Sequence, residues 1–169
     1  KKVEQPETPA KTENVEKKEK TESRQKISLQ IIPRINEKSA LDISGGKKCP
    51  STNLIIFKRN QGQNQQFVFE KVESCYYKIR VLHSNLVLDV KGGRPGVHDV
   101  IQYPYHGGRN QQWCLETAGN GYVYIKSRLG FYLDVCGGNA SDNTKLIVFP
   151  FHGGVNQQFK IIETKSQNK

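Results

Sequence analysis

Asn110-Gln111-Gln112-Trp113 has two counterparts in this chain, Asn64-Gln65-Gln66-Phe67 and Asn156-Gln157-Gln158-Phe159, each 46 residues away. A second motif runs in step with it: Leu41-Asp42-Ile43, Leu88-Asp89-Val90 and Leu133-Asp134-Val135, each followed one residue on by a Gly-Gly pair. The Asp-to-Asn separations are 22, 21 and 22 residues. Two unrelated motifs holding one period through three copies mean that one supersecondary unit is repeated, and the fold has to be read through that unit.

Outward from the repeats, the 169 residues divide unevenly. Residues 28–165 take up the three copies, as 28–75, 76–121 and 122–165. Residues 1–27 hold eight Lys or Arg, six Glu, two Pro and no aromatic residue. Such a composition cannot bury enough apolar surface to offset the entropy of ordering, so a disordered charged tail is expected, with a solvated helix over 13–26 as its alternative. Net charge is +10, and most of it falls on the repeats. A basic folded domain favours anionic partners, acidic glycans among them. With no Arg-lined helix and no nucleic-acid motif, nucleic acid is not expected as a partner. No run of 18 apolar residues is present, so no helical membrane span is expected. The chain holds no Met and starts Lys-Lys. That pattern is expected after cleavage of a leader or trimming of the ends, and with it a secreted or extracellular location. Asn139-Ala140-Ser141 fits a glycosylation acceptor. Cys49, Cys75, Cys114 and Cys136 do not recur in phase, show no zinc spacing, and are open to bridges or to buried free thiols. No metal or cofactor is expected.

Within each repeat, four short runs rich in β-branched and aromatic residues lie between turn residues. In the second they are 77–81, 86–90, 100–103 and 112–115. In the third they are 122–126, 131–135, 146–149 and 158–162; in the first, 29–32, 40–43, 54–57 and 66–70. The sequence thus predicts an all-β chain of twelve strands with no amphipathic helix. Closing three such units on themselves removes exposed strand edges, which favours a three-fold closed barrel over an open stack.

Leu-Asp-Val-x-Gly-Gly followed by His-Gly-Gly-x-Asn-Gln-Gln-Trp resembles the repeat of ricin-B-type lectin domains, the Q-x-W β-trefoils. The resemblance covers residues 28–165 and implies a β-trefoil, a six-stranded barrel closed by three hairpins. Phe67, Trp113 and Phe159 are then core residues at the barrel bottom. A carboxylate accepts from two neighbouring sugar hydroxyls, an amide donates and accepts, and a flat ring covers the C–H face of a sugar. Each repeat supplies that set: Asp89, Tyr103, His106, Asn110 and Gln111 in the second, Asp134, Phe149, His152, Asn156 and Gln157 in the third, and a weaker set of Asp42, Phe57, Asn60, Asn64 and Gln65 in the first. By the resemblance, Asp grips hydroxyls, Asn adds a hydrogen bond, the aromatic seven residues before Asn is the stacking platform, and the following Gln braces Asp or the backbone. The galactose-binding pattern has Gln two residues before the platform, where this chain has Ile55, Ile101 and Ile147, and its platform is usually Trp. The purely structural alternatives are that Asp ties down the Gly-Gly turn and that Asn and Gln satisfy backbone groups.

The three carboxylates belong to different lobes, too far apart for acid/base work on one bond, so no enzyme is expected. Cys136 with a nearby His and Asp stands where the sister repeats have Ser44 and Lys91. The expected function is a carbohydrate-binding module for surface or matrix glycans of galactose or N-acetylgalactosamine type. The alternative is a structural or adhesion trefoil with vestigial sugar sites, acting through its basic surface or its tail. Repeat 1 lacks the His-Gly-Gly tripeptide, having Asn60-Gln61-Gly62, and gathers Lys47, Lys48, Lys58 and Arg59. Lobes 2 and 3 are therefore expected to take neutral sugars and lobe 1 to favour acidic groups.

Overall fold

The computed structural model describes residues 27–164. The charged tail, apart from Ile27, and the alternative helix over 13–26 lie outside the described residues. Among the described residues are twelve strands and five single-turn 3-10 segments. Lobe 1 contains β1 (Leu29–Pro33), β2 (Ser39–Ile43), β3 (Leu54–Lys58) and β4 (Phe67–Glu73). Lobe 2 contains β5 (Tyr76–Val81), β6 (Val87–Val90), β7 (His98–Tyr103) and β8 (Trp113–Gly119). Lobe 3 contains β9 (Tyr122–Ser127), β10 (Tyr132–Val135), β11 (Leu146–Phe149) and β12 (Phe159–Glu163).

The first and last strand of each lobe form the barrel. Antiparallel pairing runs β1–β4, β4–β5, β5–β8, β8–β9, β9–β12 and back from β12 to β1, so the six-stranded ring closes. The middle strands form three hairpins, β2–β3, β6–β7 and β10–β11, which cap one end. This is the β-trefoil that the repeat implies. Phe67, Trp113 and Phe159 are fully buried at equivalent places, and the Trp113 indole donates to the Leu88 carbonyl at 3.2 Å. Around them the inward residues of the caps, Leu41, Ile43, Leu88, Val90, Leu133 and Val135, complete one core.

The strand expected at 112–115 begins one residue later. Asn110 and Gln111 instead sit in a 3-10 turn, Arg109–Gln111, where Gln111 N–H donates to Gly108 O at 3.0 Å. Equivalent turns hold Gln63–Gln65 and Val155–Gln157. A 3-10 turn lets two consecutive polar side chains aim back at the preceding hairpin, which an extended strand cannot do because its side chains alternate.

The cysteines are free among the described residues. Cys49, Cys75 and Cys136 are exposed, so a buried thiol fits none of them; only Cys114 is half-buried. Its thiol is pushed up to about 11, first by burial and then by Cys75 beside it.

Candidate functional site

Each cap hairpin presents one face to the core and one to a cleft. Asp42 pairs across its hairpin with Ile55, Asp89 with Ile101, and Asp134 with Ile147. Two residues further along the second strand come Phe57, Tyr103 and Phe149, on the same face by the period of two. The three isoleucines that depart from the galactose pattern therefore lie against the aspartates and line the clefts. The lobe 2 cleft measures about 470 Å³, lobe 3 about 370 Å³ and lobe 1 about 280 Å³, toward the small end of ligand clefts.

The structure brings each set of predicted residues together, with different roles for some of them. Asp42, Asp89 and Asp134 are 3–4 % exposed, each at the base of its cleft. Phe57, Tyr103 and Phe149 are 36–40 % exposed and stand as open platforms. Tyr103 meets His106 edge-on at 6.3 Å between centroids, and Phe149 meets His152 at 5.9 Å. Asn110 donates to Val90 O at 3.3 Å and also supports Asp89. Asn156 donates to Asp134 Oδ1 at 2.9 Å.

Gln65, Gln111 and Gln157, named above in the three sets, are fully buried, which suits the bracing role that the resemblance implies rather than direct contact with a sugar. Gln111 Nε2 donates to Asp89 Oδ2 at 2.8 Å and to Pro104 O at 2.8 Å, while its Oε1 accepts from His106 N–H at 2.8 Å. Gln65 and Gln157 repeat all three bonds with Asp42 and Asp134. The Asp reading as a tie for the Gly-Gly turn fails: among the described residues the three carboxylates accept from side chains rather than from turn amides.

The histidines, unlike the glutamines, are exposed and line their clefts, each with its ring against the aspartate. His152 Nε2 lies 2.9 Å from Asp134 Oδ2, and His106 Nε2 lies 3.5 Å from Asp89 Oδ2. Their Nδ1 atoms accept from Gly154 and Gly108 N–H at 3.1 and 3.2 Å, which assigns the proton of the neutral ring to Nε2. With both nitrogens engaged, His152 has none left to draw a proton from Cys136, which lines the same cleft.

The loop expected to be lost in lobe 1 is kept. Asn60 Oδ1 accepts from Gly62 N–H at 2.7 Å, as the imidazole Nδ1 does in the other lobes, and Asn60 N–H donates to Gln65. The second glycine is required in all three copies: a Cβ on Gly108 would come within 2.4 Å of Asn110 Oδ1, and one on Gly62 within 2.5 Å of Asn64 Oδ1.

Burial raises the pKa of Asp89, opposed by hydrogen bonds from Gln111 and Asn110 and by the charge of His106. Burial likewise raises that of Asp42, opposed by Gln65, Asn64 and His83, and Asp142 of lobe 3 raises it further. This second carboxylate beside the lobe 1 cleft works against the acidic groups expected there from Lys47, Lys48, Lys58 and Arg59.

Sequence reasoning missed three cleft residues. Ser51 lines the lobe 2 cleft, Val97 the lobe 3 cleft and Asn143 the lobe 1 cleft. It also missed Gln102, fully buried, whose amide donates to Lys47 O and Cys49 O at 2.9 Å and holds the loop before Ser51. Lobes 1 and 3 have Ile56 and Val148 at the Gln102 position, so no repeated signal marks it.

Residues 63–149, a little over half of the chain, match the family described as "Ricin-type beta-trefoil lectin domain-like". Flavastacin from Elizabethkingia meningoseptica is 29% identical over 82 residues, which are 47% of this chain and 18% of that protein. Among solved structures, the designed three-fold symmetric protein ThreeFoil superposes with a TM-score of 0.78 at 33% identity, over 81% of this chain and 99% of its own. An exo-β-1,3-galactanase from Clostridium thermocellum superposes with a TM-score of 0.78 at 28% identity, over 82% of this chain and 30% of its own. The chain thus spans less than a third of both natural proteins.

Proposed function

Because the chain belongs to the ricin-type β-trefoil lectin domain-like family, we propose that it is a non-catalytic carbohydrate-binding module acting outside the cell on surface or matrix glycans. The sugars are of galactose or N-acetylgalactosamine type. One observation carries this: in each of three clefts a buried Asp, an Asn and a half-exposed aromatic ring share one face. A carboxylate has about four acceptor positions. Two amides occupy some of those on Asp42 and on Asp89, and at Asp89 the His106 Nε2 stands further off at 3.5 Å, leaving room for sugar hydroxyls. Asp134 accepts from Asn156, Gln157 and His152 and has less to offer. Lobe 2 joins a carboxylate less occupied than that of lobe 3 to the roomiest of the three clefts, about 470 Å³, and is the strongest candidate site.

A glycan array probed with the wild type and with Asp42→Ala, Asp89→Ala and Asp134→Ala tests the proposal. Galactose, N-acetylgalactosamine and heparin serve as competitors. The expected result is signal on galactose-type glycans, displaced by the free sugars, with the greatest loss in Asp89→Ala. Array signal untouched by the three changes but steeply weakened by salt would instead support an adhesion trefoil acting through its basic surface.

A further inference from the structure

The three clefts do not each belong to one lobe. Ser51, Val97 and Asn143 stand 46 residues apart, and each lines the cleft of a lobe other than its own. Lobe 1 lends Ser51 to lobe 2, lobe 2 lends Val97 to lobe 3, and lobe 3 lends Asn143 to lobe 1. Main-chain bonds fix this exchange. Ser51 N–H donates to Gln102 O and Asn143 N–H to Ile56 O, both at 2.9 Å. His98, next to Val97, pairs with Val148. Gln102, Ile56 and Val148 each directly precede a platform aromatic. Each borrowed residue is thus pinned to the strand that carries the ring it faces.

These positions hold a hydroxyl, an isopropyl group and an amide. Val97 is 52% exposed and stands over a cleft whose other walls include Ile147, Phe149 and Cys136. The lobe 2 cleft has Ser51 there, with Lys91 and the turn glycines around it.

We propose that the borrowed residue at 51, 97 and 143 sets the specificity of each cleft, and that Val97 makes lobe 3 select a sugar carrying a methyl group beside its hydroxyl edge. This rests on the carbohydrate-binding reading above. A sugar seated on Phe149 with hydroxyls on Asp134 turns another substituent toward Val97. A methyl group there leaves water against an apolar wall, whereas a hydroxyl there is left without a partner. The methyl can come from an acetamido group or from a 6-deoxy carbon. At lobe 2 the Ser51 hydroxyl favours the unsubstituted hexose instead.

Site-by-site titration followed through the backbone amides of Phe57, Tyr103 and Phe149 tests this. The probes are methyl galactoside, N-acetylgalactosamine and fucose, against the wild type, Val97→Ser and Ser51→Val. Both changes are at exposed positions, but Ser51 holds a left-handed φ of 64°, which strains a β-branched residue. The amide spectrum of Ser51→Val is therefore first checked for the native fold, and Val97→Ser, free of that strain, carries the test by itself. At lobe 3 of the wild type, N-acetylgalactosamine or fucose should bind about four-fold more tightly than methyl galactoside, the worth of one methyl group removed from water. Val97→Ser should abolish that ratio while leaving methyl galactoside bound, and Ser51→Val should create it at lobe 2. Saturable binding at lobe 3 with no methyl preference overturns the proposal. So does a preference that survives Val97→Ser, or loss of every sugar on that change. If no probe moves any amide in the wild type, the carbohydrate-binding reading itself falls, and this proposal with it.

Discussion

Gln111 decides the geometry of the second cleft without ever touching solvent. Its amide uses both hydrogens and its oxygen to hold Asp89, Pro104 and His106 in one cluster. A buried donor stripped of its partner costs roughly 1–3 kcal/mol, so the cluster is rigid as a unit. Its charge is less secure. Burial sets the Asp89 pKa above the ordinary carboxylate value, so in the window between the two the folded chain binds more protons than the unfolded one. By linkage, the contribution of this group to stability rises as pH falls through that window. Sugar binding moves the other way, because a protonated carboxyl loses acceptor capacity. Titrating a bound sugar against pH at the Tyr103 amide should show affinity lost before the pH of about 4 at which a free Asp protonates. Loss only below that pH would show that Asp89 is not the acceptor. The Asp, Asn and ring were legible from sequence because three copies repeat them. The bracing Gln was legible through the resemblance, but its complete burial was not, since residue type gives no exposure.

At the scale of elements, the β4–β5 hairpin that joins lobes 1 and 2 carries its own clamp. Arg80 donates from Nε and Nη2 to the two Glu70 oxygens at 3.0 and 2.8 Å, and Lys78 lies 3.1 Å from the same carboxylate. These cations hold Glu70 at about 2, Arg80 contributing most. The folded value lies below the unfolded one of about 4.3. The clamp is therefore fully present above that pH and is lost as pH falls toward 2. Glu70→Gln should cost about 1 kcal/mol in urea unfolding at pH 7 and almost nothing at pH 2. An equal cost at both values would assign the loss to packing. The strands were legible because β-branched runs alternate with turn residues. The cleft loop of lobe 1 was misread for the opposite reason. Asn60 and His106 share no chemistry in a list of residue types, yet each offers one acceptor two residues before a glycine amide.

Over the whole molecule, one layer of large rings holds the barrel together. Trp113 is fully buried in one core with its counterparts Phe67 and Phe159. Trp113→Ala should cost roughly 3–5 kcal/mol in chemical unfolding. Trp113→Phe, which copies the other two lobes, should cost less than half as much. A near-zero change in the Ala variant would mean that the ring does not bear on the core. Closure of the barrel was legible from the period alone, because three units with free edges have little else to do with them. The walls at Ser51, Val97 and Asn143 were not, because they differ in type and serve a cleft whose Asp lies in another repeat. Ser28 O and Thr164 N–H meet at 2.9 Å, so the two described ends stand side by side where β1 pairs with β12. A cleft here is therefore a property of a seam, and a ring of three lobes has three seams wherever the covalent chain is cut. A single copy of the repeat has no seam at all. Two copies side by side have one. Only when the third copy folds back against the first does Asn143 reach Asp42, so the third binding place comes into being at the moment of closure, with no residue added for it.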